Sequence, residues 1–100
     1  MDVVFADAAL EDLELNPDAR TAWAEAIVRA FRRKMRYIRD ATDERDLRRL
    51  KSLHFEKLKA SGSQSDLYSI RLNDQWRLVF HILDTAPKHT IDVVAIADYH

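Results

Sequence analysis

Apolar residues at Trp23, Ile27, Ala30, Phe31, Met35 and Ile38 recur at spacings of three and four, so a helix through them carries one face that must be buried. Arg29, Arg32, Arg33 and Arg36 fall mostly elsewhere around it. Its start is expected at Asn16-Pro17-Asp18: Asn16 can cap, Pro17 suits the first helical position, and Asp18 complements the positive end of the dipole. A second, shorter helix is predicted from Thr42 or Asp43 to about Leu53, with Leu47 and Leu50 three apart. From Leu53 the period changes to an alternation of His54, Glu56 and Leu58 against Phe55, Lys57 and Lys59, and a sheet begins. "ASGSQS" reads as a loop and holds the only glycine, Gly62.

"DLYSIRL" and "QWRLVFHIL" predict two strands of a hairpin joined through Asn73-Asp74. Tyr68, Ile70, Leu72 and Trp76, Leu78, Phe80, Ile82 recur at period two; the parity sends Trp76, Leu78 and Phe80 toward the helices, and Arg71, Arg77 and His81 to the opposite face. "IDVVAIA" is β-branched and apolar on both parities, as expected of a strand in the sheet centre covered on both faces, and "DVVFA" is expected to add an edge strand. The order of elements predicts an α+β fold, with two N-terminal helices packed on one face of a mostly antiparallel sheet of three to five strands. At 100 residues there is room for one core, so residues 1–100 are expected to form a single domain.

Composition narrows the class. With 47% hydrophobic and 33% charged residues the chain reads neither as disordered nor as a membrane protein, and no apolar run approaches the roughly 20 residues of a membrane span. The first residues lack a signal-peptide pattern and there is no cysteine, so the expected location is the cytoplasm and thiolate or iron–sulfur chemistry is excluded. The net charge of −1 hides a segregation. Residues 1–28 hold seven acids and one base, net −6; residues 29–59 hold twelve Lys/Arg and five acids, net +7; residues 60–100 are net −2. The basic centre reads either as a solvated helix face laced with ion pairs or as a surface for phosphates, since screening over about 10 Å makes local charge the relevant quantity.

His54, His81, His89 and His100 fall on separate elements, and no metal-ligand spacing, phosphate-cradling glycine loop or Ser-His-Asp arrangement is visible. No metal or other cofactor is expected. What remains is a set of cations and imidazoles, His54, Lys57, Lys59, Arg77 and His100, with Asp98 and Tyr99 beside the last. RNA cleavage without metal needs such a set: a base for the 2′-OH proton, cations for the developing phosphate charge and an acid for the leaving oxygen. Each residue also has a structural reading: His54 as a cap or surface residue, Arg77 as a cross-strand ion-pair partner, His100 as a frayed end.

"LKSLHFEKLK", "YSIRLNDQWRLVF" and a final "DYH" resemble, in that order, the RelE/ParE superfamily of bacterial toxins, and most closely its HigB, or plasmid-maintenance killer, branch. The resemblance runs over nearly the whole chain, with residues 50–100 carrying its specific part. It implies a RelE-like fold and a ribosome-dependent endoribonuclease of a type II toxin–antitoxin system, which cuts mRNA and is held inactive by a helix-turn-helix, HigA-like antitoxin. Carried over by motif, His54 of "SLHF" resembles the family's active-site histidine, Arg77 of "QWRLVF" its phosphate-binding arginine, and Asp98, Tyr99 and His100 its catalytic C-terminal group. Lys57 or Lys59 would contact phosphate, and Arg48 and Arg49 of the basic section are expected at RNA. Ala60 and the longer "ASGSQSD" depart from the family's glycine and compact turn, and the acidic first residues depart from many relatives. Two alternatives stand beside the nuclease: a ParE-like toxin that poisons DNA gyrase without cutting RNA, and an inactive relic that only binds its antitoxin.

Overall fold

A computed structural model describes residues 1–58, 67–85 and 88–98. In chain order the elements are β1 (Asp2–Phe5), α1 (Ala8–Leu15), α2 (Glu25–Asp40), α3 (Glu44–Arg49), a single 3₁₀ turn (Lys51–Leu53), β2 (Glu56–Leu58), β3 (Leu67–Arg71), β4 (Trp76–Thr85) and β5 (Lys88–Asp98). The five strands form one sheet in the order β1-β5-β4-β3-β2, antiparallel except for the β1–β5 pair. The α+β architecture is thus the expected one, with an additional helix. Among the described residues no helix is long and apolar enough to cross a membrane.

The additional helix corrects the expected start at Asn16. Asp7 caps α1 by accepting a hydrogen bond from Ala9 N at 2.8 Å, and Leu10 and Leu13 are buried. Asn16 closes this helix instead of opening the next one, and Pro17 follows the stop, where a residue without an N–H cannot continue the helical ladder. Two tertiary contacts decide between the two readings of Asn16-Pro17. Arg32 donates from Nε to Leu13 O (2.9 Å) and from Nη2 to Asn16 O (3.2 Å), satisfying carbonyls that a helix end leaves open. Trp23 meets Trp76 edge to face with centroids 4.9 Å apart, which fixes the connecting segment before α2 begins.

In α2, Ile27, Ala30, Phe31, Met35 and Ile38 are buried as their spacing requires, together with Val28. They pack against Ile70, Leu72, Leu78, Phe80, Ile91, Val93 and Ile96 of the sheet, with Leu47 and Leu53 closing the same core. Asp43 caps α3, whereas Leu50 is exposed. The β3–β4 turn is held by Asn73, whose Oδ1 accepts from Gln75 N and Trp76 N.

The apolar double parity of β5 has a different cause from the expected one. β5 is interior, flanked by β1 and β4, but the central strand is β4. Phe80 pairs with Val93 and Val79 with Ala95, so Val94 is an extra residue in a bulge. The bulge switches the inward parity, and Ile91 and Val93 are buried before it and Ile96 after it. On the second sheet face burial is confined to Ser69, Arg77 and Val79 among the described residues.

Candidate active site

His54 stands where the 3₁₀ turn ends and β2 has not begun, with φ 46° and ψ 50°, the left-handed region that a residue with a Cβ enters at a cost. It is not part of the strand, so the expected alternation starts two residues later, at Glu56. The conformation is held by contacts on both sides. His54 N donates to Lys51 O at 3.1 Å, and Arg77 Nη2 donates to the His54 carbonyl. Phe55, next in sequence, stacks on Tyr68 with centroids 5.4 Å apart and carries the Arg48 guanidinium 4.7 Å above its ring.

Arg77 is 9% exposed, on the sheet face away from α2. Its Nε donates to the fully buried Ser69 Oγ at 2.8 Å, and Nη2 lies 3.7 Å from Glu56 Oε1, a buried oxygen without a hydrogen bond of its own. The guanidinium therefore ties β4, β3, β2 and the His54 carbonyl together, and its charge balances that of Glu56.

The His54 imidazole faces a second arginine that the residue-by-residue reading placed on the far sheet face and did not include in the site. Arg71 Nη1 lies 3.4 Å from His54 Nε2, and Arg71 Nη2 donates to Asp74 Oδ1. A guanidinium can only donate, so this contact is a hydrogen bond only when Nε2 keeps its lone pair, that is, with a neutral imidazole protonated on Nδ1. Lys34 from α2, Ser52, Leu72, Asn73 and Asp74 complete an open cleft of about 420 Å³ around this pair. Burial first, and then the charges of Arg33 and Arg71, push the Lys34 ammonium below its ordinary pKa. Lys34 lies in none of the stretches that carry the family resemblance, and Arg71, although inside "YSIRLNDQWRLVF", is not singled out by its spacing; they lie 20 and 17 residues from His54 in sequence, and the fold brings them together.

Asp98, at the end of β5, pairs in register with Trp76 and accepts from Gln75 Nε2 at 3.0 Å, so β5 delivers the chain to the sheet end that carries the β3–β4 turn. Lys57 is exposed on β2. Arg48 and Arg49 sit in the last turn of α3, 3.9 Å from Glu44 and 3.4 Å from Asp46 respectively. Lys59, Tyr99 and His100, and the loop holding Ala60 and Gly62, lie outside the described residues. Among the described residues no group of three or more His, Cys, Asp or Glu side chains is placed to hold a metal ion. The arrangement sets an imidazole beside an arginine and a lysine in one open cleft, groups of the kind from which a phosphodiester can be bound and a hydroxyl proton removed.

The fold has a counterpart in a solved structure. The "YoeB/ParE toxin from Agrobacterium tumefaciens" matches with a TM-score of 0.55 and 17% identity over 100% of both chains, a likeness of fold. No curated protein matches the sequence. A family model described as "RelE-like toxin of type II toxin-antitoxin system HigB" matches residues 3–100. The chain therefore belongs to the RelE-like, HigB family of type II toxins.

Proposed function

We propose that this toxin is an endoribonuclease that cuts mRNA on the ribosome and so stops translation, by metal-free attack of a 2′-OH on the adjacent phosphate. The observation that carries the reading is the pairing of His54 Nε2 with Arg71 Nη1 in a cleft that also holds Lys34. RNA phosphate entering the cleft competes for Arg71 and releases the Nε2 lone pair. His54 then removes the 2′-OH proton, the O2′–P bond forms, and the P–O5′ bond breaks as an acid returns a proton to O5′, leaving a 2′,3′-cyclic phosphate. Following the family resemblance, His100 is the acid, Asp98 orients it, and Tyr99 stacks on a base.

Arg71 and Lys34 carry the developing phosphate charge, while Arg77 acts by holding the His54 backbone in place. Lys57 or Lys59, and Arg48 and Arg49, contact flanking phosphates, which position a protein without reading sequence. The antitoxin in this reading is a helix-turn-helix, HigA-like protein, and the site of action is the cytoplasm.

The test is a translating extract with mRNA ends mapped for wild type, His54→Ala and His100→Ala. Codon-phased cuts that disappear in both variants support the proposal. Intact message beside arrested growth, with toxicity unchanged in both variants, would replace it with a binding toxin such as a gyrase poison.

A further inference from the structure

A groove of about 210 Å³ runs between the C-terminal end of α2 and α3, lined by Tyr37, Asp40, Ala41, Asp46, Leu47 and Leu50. Its floor is apolar: Leu47 and Ala41 are buried. Its rims expose Tyr37 (39%) and Leu50 (43%), two of the four large hydrophobic residues that are exposed among the described residues. Scattered surface hydrophobics need no explanation, but two on either side of one apolar floor do. The volume is below that of a small-molecule site and fits a single large side chain inserted from a partner.

Charge decides the kind of partner. The lining includes two carboxylates, Asp40 and Asp46, and no cation, although it lies in the most basic third of the chain. Asp46 is engaged, accepting from Thr42 N at 2.8 Å with Arg49 Nη1 at 3.4 Å. Asp40 is exposed and has no hydrogen-bond or ion-pair partner for its side chain among the described residues. Asp40 also lines the next cavity, with Arg32, Arg36 and Arg39, so the groove combines an apolar floor with a single exposed, unengaged carboxylate; a peptide with an apolar anchor beside Lys or Arg is complementary to that combination.

We infer that this groove is a docking site for the antitoxin, which seats a large apolar side chain between Tyr37 and Leu50 and places a neighbouring Lys or Arg against Asp40. The inference rests on the toxin family, whose type II systems pair each toxin with an antitoxin protein. It does not need the ribonuclease reading. The groove adjoins the proposed catalytic cleft, because Lys34, which lines the cleft, has its Nζ 5.6 Å from the Tyr37 ring centroid. An antitoxin seated there packs on Tyr37, beside Lys34 of the cleft.

The experiment titrates the full-length toxin with its cognate antitoxin by calorimetry, comparing wild type with Leu50→Lys and Asp40→Lys. Both substituted side chains are exposed, and an unchanged thermal midpoint shows that each variant folds. A loss of affinity of at least tenfold for Leu50→Lys and several-fold for Asp40→Lys is the expected result. Antitoxin affinity within twofold of wild type in Leu50→Lys would overturn the inference. It would also be overturned if Leu50→Lys abolished self-association of the free toxin and left antitoxin affinity intact, which would assign the groove to a second copy. Because the affinity is measured without RNA, failure of the ribonuclease reading would show separately, as uncut message in the presence of wild-type toxin.

Discussion

At position 54 the backbone and the side chain make opposite demands. The left-handed conformation favours glycine, yet the imidazole is what faces Arg71. His54→Gly keeps the carbonyl that Arg77 binds and relieves the Cβ clash, so its stability is expected to equal wild type or exceed it by up to about 1 kcal/mol, while RNA cleavage disappears. Thermal denaturation and a cleavage assay on the same sample check the two halves. Arg77 behaves in the reverse way. Its truncation to Met removes the partners of the buried Ser69 Oγ and of the His54 carbonyl, and takes the cation away from a Glu56 that is itself 43% exposed, so a loss of about 2 kcal/mol is expected in urea unfolding. His54 and Arg77 were both legible as candidates for the site from their motifs. That Arg77 binds the His54 carbonyl while Arg71 faces its imidazole was not, because the difference depends on a register across β2, β3 and β4 that no local pattern encodes.

Elements were legible where one face is broad and repetitive. The buried face of α2 and the period-two faces of β3 and β4 could be read directly, since each is fixed by its own residues. Helix α1 could not: it offers only Leu10 and Leu13 as buried positions, and Asn16-Pro17 can end one helix as readily as begin another. Arg32 settles the choice from 19 residues away. In α3 the cap is itself electrostatic. Hydrogen bonds from the Arg45 side chain and then its backbone N–H hold the Asp43 carboxyl at about 2, below its ordinary 3.8. A carboxylate whose pKa is lowered on folding adds stability above its unfolded pKa and loses it as the pH falls through the folded one. Asp43→Asn, which keeps a capping oxygen but no charge, is therefore expected to melt below wild type at pH 5–7 and to converge with it between about pH 4 and 2. A gap independent of pH would show that the charge contributes nothing.

Across the whole molecule, acidic and basic groups are segregated in sequence and then rearranged in space. Part of the basic section is consumed internally, as Arg39 binds Glu14 through two hydrogen bonds of 2.7 and 2.6 Å and Arg32 closes α1. The +7 read from residues 29–59 thus overstates the charge left for RNA. Lys34 and Arg71 are placed at the cleft, and Asp40 and Asp46 line the groove beside it. One surface region thereby presents a cleft lined by Lys34 and Arg71 next to an apolar groove that carries two carboxylates. The central claim is that the cationic cleft cleaves RNA through the substrate's own 2′-OH. The most direct measurement is the chemical nature of the ends produced when purified toxin acts on mRNA in a translating extract. A 2′,3′-cyclic phosphate or 3′-phosphate on the upstream fragment, absent with Arg71→Ala, is the expected result. A 3′-hydroxyl at the cut, or no cut at all, would contradict it.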